Sequence, residues 1–72
     1  MTEWIIVVIV MVTDPNGGMQ LLAADAGIAT AKEACAAVEK QAQKRYPEAT
    51  ILFSCEEIKP SMSAPKLKKL NT

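Results

Sequence analysis

Histidine is absent from this 72-residue chain, which removes the commonest general base and the commonest metal ligand together. Cysteine is scarce. Cys35 and Cys55 are too few and too far apart to build a zinc set, and no His or CxxC completes one. The aromatics are limited to Trp4, Tyr46 and Phe53, so no platform for stacking bases is visible. Eight acids and eight bases cancel, without the basic excess of a nucleic-acid-binding domain. No apolar run approaches the roughly 20 residues that a membrane helix needs. The acidic start Met-Thr-Glu does not match the basic n-region of a secretory leader. Together these gaps predict a protein that is not an enzyme, binds no cofactor or metal, does not span a membrane and resides in the cytoplasm.

What is present begins with WIIVVIVMV, Trp4 to Val12, nine residues without a polar side chain. Most are β-branched, which suits a pleated strand. Alternation puts Ile5, Val7, Ile9 and Met11 on one face and Trp4, Ile6, Val8, Val10 and Val12 on the other. Both faces are apolar, so the strand is expected to be central and covered on both sides. DPNGG, Asp14 to Gly18, is a turn signal between this run and MQLLAA, Met19 to Ala24, which predicts a β-hairpin. A strand rather than a helix follows the glycines, which argues against a phosphate cradle.

Asp25 to Ile28 interrupts the pattern. Thr30 to Glu33, TAKE, then fits a capping box and opens a helix that stops before Pro47. Ala31, Ala34, Cys35, Val38, Ala42 and Tyr46 form its inner stripe of mostly small residues. ATILFSCEEI predicts a third strand, with Ile51, Phe53 and Cys55 toward the helix and Leu52, Ser54, Glu56 and Ile58 opposite. Glu56 and Glu57 therefore point to opposite faces and cannot act as an acid–base pair. Residues 1–58 form a single α+β domain of ββαβ order. Its sheet is expected to be three-stranded and antiparallel, order 2-1-3, with one helix on one face. Residues 59–72, with two prolines and no sustained period, read as a basic tail.

The charge is unevenly spread. Residues 1–58 carry a net charge of −4, whereas Lys59, Lys66, Lys68 and Lys69 give the tail +4. Cys35 and Cys55 lie on surfaces expected to meet. In an exported protein they would form a disulfide, and in the cytosol they would remain small core residues. The unmatched leader favours reduced thiols.

One helix covers one face of such a sheet, and an uncovered apolar face marks an interface. The candidate partner surface is Ile6, Val8 and Val10 with Leu52 and Ile58, joined by Lys66, Lys68 and Lys69. The expected function is a non-enzymatic interaction module, a homodimer that binds and modulates another protein. The alternatives are a small nucleic-acid-associated factor using the basic tail, an exported disulfide-stapled domain, and a tail folded back so that Met62, Leu67 and Leu70 cover the second face.

Residues 30–58, TAKEACAAVEKQAQKRYPEATILFSCEEI, resemble a pattern of small uncharacterised phage or prophage proteins. In that pattern a helix opening T-x-K-E-A-C ends at a proline and precedes a Cys-bearing strand. The resemblance implies an α+β fold and a protein that binds and inhibits a host protein, in the host cytoplasm if phage-encoded. It transfers no functional residue.

Overall fold

The computed structural model describes residues 2–61 and 66–70. Strand β1 spans Trp4–Thr13, β2 spans Met19–Ala29, α1 spans Glu33–Arg45, β3 spans Thr50–Glu57 and β4 spans Lys68–Lys69. The sheet is antiparallel in the order β2-β1-β3-β4. The expected order 2-1-3 is present, but with a fourth strand. Two lysines carry no periodic signal, and β4 is placed by pairing: Leu52 opposes Lys69, Phe53 opposes Lys68, and the Leu70 amide donates to the Ile51 carbonyl at 2.8 Å.

The β1–β2 turn follows its sequence chemistry closely. Asp14 Oδ1 accepts the Asn16 and Gly18 amides, each at 2.9 Å, and Gly17 takes the left-handed conformation at φ 88°. Strand β2 runs five residues beyond the predicted Ala24. Asp25 to Ala29 have weak strand propensity, but β1 is ten residues long and offers them a ladder, ending with Trp4 opposite Ala29. A bulge at Leu22 separates the Met11–Leu21 and Val10–Ala23 pairs.

Helix α1 begins later than the capping box predicts. Lys32 is its N-cap, no side chain caps it, and the Cys35 amide donates to the Lys32 carbonyl at 3.0 Å. The Ala34 amide bonds back to Ala31, so a tight turn replaces the Thr30 cap. Glu33 in the first turn and Lys44 and Arg45 in the last complement the helix dipole.

The helix lies on the face that carries Ile6, Val10, Ile51 and Phe53. Val10, Ala42, Ala49 and Ile51 form one buried cluster; Ile6, Cys35 and Phe53 form the other. Leu70 packs against both, so the tail does return, but on the helix side rather than over the second face. Leu67 is exposed, and Met62 lies outside the described residues. Cys35 and Cys55 form a disulfide with their Cα atoms 6.0 Å apart, contrary to the expected reduced thiols. The inner helix stripe and alternate β3 residues meet here, as their spacing predicted.

Candidate functional site

Register assigns each face of the sheet, because residues directly opposite in an antiparallel pair share a side. Ile6 opposes Cys55, Val8 opposes Phe53 and Val10 opposes Ile51. These three β1 residues therefore share the helix side with the core. Ile6 and Val10 are buried there, which removes them from the open face where the sequence placed them beside Leu52. Sequence alternation separated the two sets correctly but did not say which set the helix would cover.

The open face belongs to the other set. Ile5, Val7, Ile9 and Met11 run down its centre and are half-buried even though no helix among the described residues covers them. Leu52 opposes Ile9 and Ile28 opposes Ile5, while Leu21 opposes Met11 at the far end. Leu21 and Ile28 are 61% and 63% exposed. Ala24 and Ala26 lie between them on the same side, leaving a shallow floor. Ile58 continues this side of β3 at 40% exposure, its amide donating to the Glu3 carbonyl at 2.9 Å. Of the predicted surface, Leu52 and Ile58 are where the sequence put them. Ile5, Val7 and Ile9 were missed as members although their alternation was already legible, whereas Leu21 and Ile28 share this side only through the bulge at Leu22.

The predicted basic cluster does not stay together. Lys69 opposes Leu52 on the open side, and Lys68 opposes Phe53 on the helix side. The Lys66 amide donates to Glu56 Oε1 at 3.3 Å. Lys66 and Lys68 line a cavity of about 480 Å³ beside the disulfide, facing Glu33, Glu39 and Glu56. Three acids and three bases line it, Lys32 being the third base, so Lys66 and Lys68 face carboxylates there rather than forming a purely positive surface for phosphates. Lys32, at the helix entrance, sits 5.7 Å from the Trp4 ring centroid.

The helix side is itself only partly covered. Helix α1 packs toward β3, leaving a groove between α1 and β2 whose floor includes Val8. Val8, predicted as a partner residue, is thus accessible, but from the side opposite Leu52.

Among the described residues no three His, Cys, Asp or Glu side chains gather as a metal site, and no helix is long and apolar enough to cross a membrane. Compared with protein-family models, with curated proteins and with solved structures, the chain matches none of them.

Proposed function

We propose that the protein is a small non-enzymatic interaction module that forms a homodimer through its open sheet face and binds and modulates another protein. The observation that carries this reading is the apolar side of β1 and β2, where Ile5, Val7, Ile9, Met11, Leu21 and Ile28 have no covering layer among the described residues. A two-fold axis through the centre of such a face makes it self-complementary. With β1 ten residues long, the face measures about 34 Å by 14 Å at standard strand spacings, or roughly 1,000 Å² across two copies, the lower bound for a stable interface. Lys69 adds one positive charge on this side at the β3–β4 edge, opposite Leu52. The non-enzymatic reading rests on the missing histidine and on both thiols being held in a disulfide. The resemblance of residues 30–58 to phage proteins supports inhibition of a host protein as the kind of modulation.

The disulfide favours a second reading of location. Structural disulfides persist in oxidising compartments and are rare in reducing cytosol. The Cys35–Cys55 bond therefore supports an exported, stapled module over the cytoplasmic one, with the same interaction surfaces. Mass measurement of alkylated, non-reduced protein from its native compartment separates the two by the presence or absence of two free thiols.

The proposal is tested by light scattering during size-exclusion chromatography across a concentration series. The expected mass is that of a dimer, falling to monomer for Ile9→Lys and Leu52→Lys, which oppose one another on the open face. A monomer at every concentration refutes self-association. A dimer unaffected by either lysine refutes the open face as its site.

A further inference from the structure

Among the described residues β2 is an outer strand, eleven residues long and exposed along most of its length. Its hydrogen-bonding direction follows from the ladder. The Ile58 amide donates to the Glu3 carbonyl, so odd-numbered β1 residues bond toward β3 and even-numbered ones toward β2. Val8 and Asp25 thus exchange bonds, while Ala24, Ala26 and Ile28 direct their amides and carbonyls to the free edge. One hydrogen bond agrees independently. The Ala26 amide donates to Asp25 Oδ1 at 2.9 Å, held by a side chain where a neighbouring strand would offer a carbonyl.

On the helix side, two cavities flank Asp25. One, of about 340 Å³, lies beside Ala23 between Val10, Ala42 and Tyr46. The other, of about 250 Å³, lies beside Gly27 between Ile6, Ala34 and Val38. Asp25, Val8 and Val38 line both. Ala23, Asp25 and Gly27 are successive helix-side residues of β2, so the spacing apolar cavity, carboxylate, apolar cavity repeats at the two-residue period of a strand.

We propose that the free edge of β2 receives an extended segment of another protein as an added strand, with the pattern apolar–x–Lys/Arg–x–apolar. The two apolar side chains enter the cavities beside Ala23 and Gly27, and the base meets Asp25, the only charged side chain in β2. The backbone of the segment bonds Ala24 and Ala26, displacing the Asp25 carboxylate from the Ala26 amide. The charge excludes a second copy of this strand as the natural occupant. Pairing β2 with itself about Asp25 opposes two carboxylates, and about its midpoint Ala24 it sets them on a diagonal two residues apart; like charges across strands are destabilising. The inference rests on the interaction-module reading but uses a surface separate from the open face, so a monomeric mass in the preceding experiment leaves it standing.

The probe is the peptide Ac-Thr-Ile-Thr-Lys-Thr-Ile-Thr-NH2, titrated into the full chain while amide hydrogen exchange is followed by NMR. Saturable slowing of exchange at Ala24, Ala26 and Ile28 is expected. A peptide with glutamate in place of lysine should bind about tenfold more weakly, since attraction is exchanged for repulsion at one cross-strand pair. Asp25→Lys should reverse that order, and N-methylation of the two threonines beside the lysine should abolish binding. The proposal is overturned by no saturable slowing at millimolar peptide, by equal affinity for the lysine and glutamate peptides, or by indifference to N-methylation. Slowing that tracks protein concentration without peptide assigns the edge to self-pairing and overturns it as well.

Discussion

Breaking the Cys35–Cys55 bond should cost this protein a large share of its stability. The bond joins residues 20 apart in sequence and fastens the first turn of α1 to β3. In the chain-entropy model, closing a loop of about 20 residues removes about 11 cal/mol/K from the unfolded chain, or about 3 kcal/mol at 25 °C. The Cα separation of 6.0 Å lies within the ordinary span of disulfides, so no large backbone strain offsets that gain. A 72-residue domain has roughly 4–11 kcal/mol of stability in total at typical per-residue values. The double variant Cys35→Ala/Cys55→Ala should therefore remain folded but lose about 3 kcal/mol, a fall in Tm of roughly 15–20 °C for a domain of this size. Urea unfolding with and without reductant is the assay. Reductant should bring the unmodified protein to the midpoint of the double variant and leave that variant unmoved. A loss below about 1 kcal/mol would refute the entropic argument. A reductant effect on the double variant would show that the cysteines are not its cause.

Three further outcomes follow from packing and backbone geometry. Phe53, 2% exposed between Ile6 and Cys35, should cost about 3–5 kcal/mol as Phe53→Ala, read by urea denaturation. Ser54 is buried, and its hydroxyl has no hydrogen-bond partner among the described residues. Ser54→Ala should therefore be neutral or raise stability by up to about 1 kcal/mol, and a clear destabilisation would reveal a partner for it. Gly17→Ala should cost about 1–2 kcal/mol by thermal unfolding, because φ is 88° there and an added Cβ meets only open space. That loss comes from the backbone conformation alone.

Local chemistry was legible wherever one segment contained its own instructions. The Asp14–Gly18 turn needs a side-chain acceptor and a residue tolerant of positive φ, and both are written in five residues. The helix stripe Ala34, Cys35, Val38 and Ala42 is a 3.6-residue period, and Pro47 limits its end. Thr50–Glu57 matches the predicted third strand because its alternation is strong. The helix start was less legible. A capping box competes with other turns of similar energy, and here Lys32 won over Thr30.

The sequence by itself determined that β1 would be central, that a hairpin would follow it, and that one helix would leave apolar surface over. Those conclusions need only periodicity and propensity, which act between near neighbours. Tertiary structure decided which side of β1 the helix covers, and so moved Ile6 and Val10 into the core and left Ile5, Val7 and Ile9 outside. It decided that weak strand formers from Asp25 to Ala29 would pair, that two lysines would become a fourth strand, and that two distant thiols would join. Each of these depends on register and on contacts between residues far apart in the chain. A period of two specifies that a strand has two faces, but only its partners specify which of them is inside.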